Sequence, residues 1–214
     1  KGDMDTAIEK FNSGYEVDKT FVGAAPVFLN NKATSLKQRA VSAYNDAVKT
    51  KDRPAIDKAR ASAAKDFGDA LQAANESYKL SKNAKPTEIQ NASNHKKNIK
   101  NSEDSIKEIL KIMGQINLNL ATYIASEEDA TRSVAIYKDT LLVIPNNPDV
   151  LSGLGLALFQ TSAFKGTQAE KQESLNYLSH YMKTAPKDHK MRTAVSDMVT
   201  YLTGEEKLKP QNLK

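Results

Sequence analysis

The chain has 214 residues, 39% hydrophobic and 27% charged, enough to bury a core and stay in solution, which excludes a wholly disordered polymer. Cysteine is absent, so disulfides, thiolate metal sites and cysteine nucleophiles are excluded. The formal net charge of +5 is local: between positions 79 and 100 stand Lys79, Lys82, Lys85, Lys96, Lys97 and Lys100 against Glu88 alone, and the flanks are nearly neutral.

With only 9 Gly and 7 Pro, breakers are scarce and helix formers dominate. No apolar run approaches ~18 residues, so no membrane span is expected. Met4, Ala7, Ile8, Phe11 and Tyr15 give a helical period over 3–18. Pro26 suits the first turn of a second helix, which runs through Leu29, Ala33, Leu36, Ala40 and Tyr44 to about Thr50, with a weak break signal at Thr34-Ser35. Asp52-Arg53-Pro54 is a turn with an Asp cap, and the period then continues from Ile56 to Tyr78, predicting a third helix from Arg53 to about Lys82. A short turn makes helices two and three an antiparallel hairpin. Asparagines crowd 83–101 and apolar residues thin out, so a loop with some helical turns is expected there. Periodicity resumes at Ile106, Ile109, Leu110, Met113, Ile116, Leu120 and Ile124.

Later boundaries are sharper. Ser126 precedes an acidic first turn, Glu127-Glu128-Asp129, which suits the helix dipole. Asn147-Pro148 opens another helix, and Thr167 with Glu170 spells a capping box. Pro186 is expected to start the last helix, Gly204 to close it, and the polar tail to fray.

Two segments share a pattern. Leu120-Ala121 aligns with Leu154-Gly155, 34 residues on, and Ser133, Tyr137 and Pro145 match Ser174, Leu178 and Pro186. The second copy then carries seven extra residues, placed between its helices around 165–171. A helix–turn–helix period of 34 resembles the tetratricopeptide repeat. The start, Gly2-x-Met4-x-x-Ala7-x-x-x-Phe11-x-x-Gly14, looks like the turn and second helix of another copy. The family's Trp is absent, and 51–113 match poorly.

The resemblance implies an all-α array of antiparallel helix hairpins, a right-handed α-solenoid with long central helices. It implies one domain over 1–214: a partial repeat at 1–20, a divergent long-helix hairpin region at 21–113, a repeat at 114–147, a repeat with an inter-helix insertion at 148–188 and a capping helix at 189–204. Ligands of the family lie in a concave groove lined by first helices. Carried over, the partner-binding positions are Gln115, Leu118, Thr122, Ala125 and Ser126 in one repeat, and Asp149, Ser152, Leu156, Phe159 and Gln160 in the next. The alternative is that some of these positions simply pack against the next helix. The clamp of chaperone-tail binders is not matched.

Catalytic chemistry has little support. His95, His180 and His189 lack metal-ligand spacing, so no metal and no cofactor is expected. Gly153-x-Gly155 lies within a helix and reads as packing. No Gly-x-Ser-x-Gly motif occurs. The basic patch at Lys96, Lys97 and Lys100 reads first as solvated surface, then as a contact for an acidic partner or nucleic acid, although Arg and aromatic platforms are missing. The expected function is a non-enzymatic scaffold binding a protein or peptide, with no small-molecule substrate. Two alternatives stay open: an accessory or regulatory domain of a larger enzyme or secretion assembly, and a nucleic-acid binder using 79–100. The composition and the non-Met start lean towards an exported bacterial protein.

Overall fold

The computed structural model describes residues 3–213, the side chains of Tyr123 and Ile124 excepted. The Gly2 of the N-terminal motif and the Ile124 side chain therefore lie outside the described residues. The described residues form eight α-helices and no strand, so the fold is all-α. None of these helices is long and apolar enough to cross a membrane. The chain divides into two compact units, Lys1–Ile109 and Leu110–Lys214.

The first unit holds α1 (Met4–Val17), α2 (Ala25–Thr50), α3 (Arg53–Lys82) and the start of α4 (Ala92–Ile124). Asp3 caps α1 by accepting from the Thr6 amide at 3.1 Å. Pro26 lies in the first turn of α2, and Asp52 caps α3 through the Ala55 amide. The weak break at Thr34-Ser35 does not materialise, because α2 is continuous. Only Lys51, in the left-handed region at φ 57°, and Asp52 separate α2 from α3. Ser77, late in α3, donates to the carbonyl of Pro26, early in α2, at 2.9 Å. The pair is therefore an antiparallel hairpin. Its seam is lined by Ala33, Ala40, Ala70 and Ala74, all fully buried, and methyl-sized side chains let the backbones approach. Leu29, Leu36, Ile56 and Phe67 fill the space between.

One expectation fails here. Residues 83–101 are not mainly loop: a 3-10 turn spans Pro86–Glu88 and α4 begins at Ala92. Asn91 caps it by accepting from the Asn94 amide at 3.0 Å. The buried face of this stretch is polar, with Asn98 7% exposed and Ser102 fully buried. Ser102 donates to Ser77 Oγ at 2.9 Å and to the carbonyl of Asn98 at 2.8 Å. Hydrogen bonds take the place of apolar contacts, so no hydrophobic period marks the helix.

The second unit holds the rest of α4, then α5 (Glu127–Val143), α6 (Pro148–Lys165), α7 (Gln168–Thr184) and α8 (Arg192–Gly204). Ser126 and Asn147 cap α5 and α6 as their side-chain oxygens accept from the Asp129 and Val150 amides. Thr167 does not complete a capping box: its hydroxyl bonds the Glu170 carboxylate instead of a backbone amide. Pro186 does not begin the last helix. Turns fill 186–191, and Arg192 instead donates to the carbonyls of Met182, Ala185 and Pro186, closing the end of α7. α8 does close at Gly204, its last residue, without a left-handed conformation there. The tail does not fray. Lys171 on α7 holds Glu206 at 2.6 Å, Gln172 donates to the carbonyl of Lys209 at 2.9 Å, and Asn176 accepts from the Gln211 amide at 2.9 Å.

Candidate functional site

Two helix pairs in the second unit are built on the same device. Ser133 on α5 donates to the carbonyl of Gly114 on α4 at 3.0 Å, and Ser174 on α7 donates to the carbonyl of Gly155 on α6 at 2.7 Å. Both serines are fully buried. A Cβ on Gly114 would sit 2.7 Å from the Tyr137 ring, and one on Gly155 would overlap the Leu178 side chain. Each glycine thus opens the socket that a large residue four places after its serine occupies.

The equivalence holds at 41 residues throughout: Gly114 with Gly155, Ala125 with Gly166, Ser126 with Thr167, Ser133 with Ser174, and Tyr137 with Leu178. Ala125 and Gly166 both end their helices in the left-handed region, at φ 49° and 67°. The register of Leu120 with Leu154 at 34 residues is therefore corrected. Both turns have the same two-residue form, so the seven extra residues expected around 165–171 do not form an insertion. Tyr137 also covers Gly153 of α6, and burial pushes its hydroxyl well above the ordinary tyrosine range, with the Asp149 charge adding to it.

The positions carried over from the resemblance separate into two groups. Leu118 and Ser152 are corrected: both are buried, Leu118 in a cluster with Tyr137, Val150 and Leu154, and Ser152 donating to the carbonyl of Pro148 at 2.8 Å. Ser126 is used as a cap. Phe159 packs edge-on against Tyr201 of α8, centroids 5.9 Å apart. Gln115, Thr122 and Ala125 are exposed, and Asp149, Leu156 and Gln160 are partly so. Gln115 donates to Asn119 Oδ1 at 2.8 Å. At the 41-residue register Asn119 is the counterpart of Gln160 and Gln115 that of Leu156. Asn119 was missed by the sequence reading, although it stands four residues from Gln115 on the same helical face.

No family model, no curated protein and no solved structure matches this chain. Among the described residues no group of three His, Asp or Glu side chains could hold a metal. The densest ionisable cluster surrounds Asp149 at the start of α6. Its carboxylate meets Lys190 at 3.1 Å, His189 Nε2 at 3.4 Å and Lys111 at 3.9 Å. Partial burial alone would raise its pKa, but the hydrogen bond and charge of Lys190, then Lys111 and His189, hold it below the ordinary value. His189 Nδ1 lies 2.7 Å from Tyr181 Oη and 3.4 Å from the Met191 amide, which makes Nδ1 the acceptor and puts the proton on Nε2, facing Asp149. Tyr181 is fully buried, so this chain of hydrogen bonds ties α6, α7 and the turn before α8 together, while Lys190 and part of Asp149 face solvent. Lys96, Lys97 and Lys100 are exposed on α4, and Lys79, Lys82 and Lys85 are exposed as well.

Proposed function

We propose that the chain is a protein-interaction scaffold built from repeated helix pairs, which takes up a protein or peptide on the polar face of its repeated first helices. The observation carrying this reading is the repeated Ser–Gly clamp. A unit built twice with the same buried seam spends its apolar residues on stacking, and leaves each first helix one face free. On α4 that face presents Gln115, Asn119 and Thr122; on α6 it presents Leu156 and Gln160. Amides, a hydroxyl and one aliphatic side chain suit an extended backbone, whose donors and acceptors they match.

Photo-crosslinking residues placed at Thr122 and at Gln160 in the full chain test this. The expected result is one discrete protein adduct common to both positions, suppressed by Gln115→Arg. No adduct from either position, or an equal yield from the exposed control position Val17, overturns the proposal.

A further inference from the structure

The first unit contains a small polar cavity that the scaffold reading does not use. It has a volume of about 130 Å³ and lies between the α1–α2 turn and the first two turns of α4. On this measure one water needs only ~10–15 Å³, so the cavity is roomy enough for a small solute. One wall is apolar, formed by Phe21, Val22 and Ile89; the other carries Asn94, His95 and Asn98. The tip of the Phe21 ring closes on Gly23, where a Cβ would strike it at 2.7 Å, and Phe21 is 39% exposed.

The polar wall is partly unsatisfied. Asn98 is only 7% exposed, lines the cavity, and uses its backbone carbonyl to accept from Asn30 and Ser102. His95 Nδ1 is buried and has no partner. The Asn30 Oδ1, beside Asn98, is a second buried orphan. Buried amide and imidazole groups nearly always find partners, and each one left without costs on the order of 1–3 kcal/mol. A wall that combines such orphans with an opening is arranged for a polar occupant.

We infer that this cavity binds a small neutral polyhydroxylated molecule, of the size and chemistry of a single sugar ring. Carboxamides offer a donor and an acceptor side by side, which is the pattern that vicinal hydroxyls present. The exposed Phe21 ring and Val22 supply the flat apolar surface that the C–H face of such a ring covers. Neutrality follows from the wall: it carries no Lys or Arg side chain, and Glu88, whose Oε2 accepts from the Lys85 amide at 2.8 Å, stands at the rim and repels an anion.

The test is a titration of the full isotope-labelled chain with D-glucose, D-galactose and glycerol, with inorganic phosphate and acetate as anionic probes, following the side-chain signals of Asn94, Asn98 and His95. The expected result is saturable shifts of these signals with at least one sugar. Asn98→Leu, which keeps the volume and removes the amide, should weaken that sugar by at least about tenfold, as lost hydrogen bonds to a buried polar group do. Phe21→Ala, at an exposed position that leaves the core intact, should weaken it comparably. Saturation by phosphate or acetate but by no sugar overturns the inference. So does linear, unsaturated drift with every probe, which is the behaviour of a site holding only water, or undiminished sugar binding in both variants.

Discussion

Arg39 shows how one side chain organises the first unit. Its guanidinium, projecting from α2, takes both carboxylate oxygens of Asp66 on α3, at 2.9 and 2.7 Å, and also bonds Asp5 on α1. Asp66 is 5% exposed, so it relies on this fork. The Asp66 hydrogen bonds hold the guanidinium pKa above even its ordinary high value, against the cost of burial. Arg39→Met should destabilise the unit by about 2–3 kcal/mol in urea unfolding, below the ~3–5 kcal/mol of a fully buried pair because Arg39 itself is partly exposed. Asp149 makes a pH-dependent contribution. Its folded pKa lies below the ordinary 3.8, so its stabilisation is fully present above about pH 4 and fades as pH falls through the lowered value. Urea midpoints measured between about pH 5 and pH 2 should therefore drop more steeply in the wild type than in Asp149→Asn. An identical slope in both would show that the Lys190 and His189 contacts contribute nothing.

At the scale of the element, the Ser–Gly clamp sets the spacing of each helix pair. Gly155→Ala puts a methyl into Leu178, and should cost about 1–3 kcal/mol as overpacking does. Leu178→Ala in the same chain should then cost less than the sum of the two single changes, because the smaller side chain vacates the socket; strict additivity in thermal melts would argue against the clamp. Ala125→Gly is expected to act in the opposite direction. Ala125 holds φ at 49°, a left-handed conformation that disfavours any side chain, and glycine already serves at the equivalent Gly166. The substitution should raise stability by about 1 kcal/mol. The helix boundaries most legible in the sequence are those with a local chemical cause: Asp52, Ser126 and Asn147 each end an unpaired amide row with a side-chain oxygen. The least legible are those made by partners distant in sequence. Pro186 has every local qualification to start a helix, yet Arg192 and His189 are drawn to α7 and to Asp149, and the helix begins later.

For the molecule as a whole, the two compact units carry separate cores, so the substitutions above should act regionally. Amide hydrogen exchange of Arg39→Met should lose protection in α1, α2 and α3, whereas Gly155→Ala should lose it in α6 and α7. Uniform loss in either variant would mean that the chain unfolds as one cooperative body. The composition, the helical periods and the caps determined that the chain is all-α and where α1, α2, α3, α5, α6 and α7 lie, because those signals act within a few residues of one another. The tertiary structure alone decided the rest. It turned 92–101 into helix by pairing Asn98 and Ser102 with α2 and α3, docked the tail on α7, set the repeat register at 41 through the Gly114 and Gly155 sockets, and left His95 Nδ1 unpaired beside a cavity. Each of these depends on which groups meet across tens of residues, and a hydrogen bond between distant positions leaves no periodic mark in the sequence.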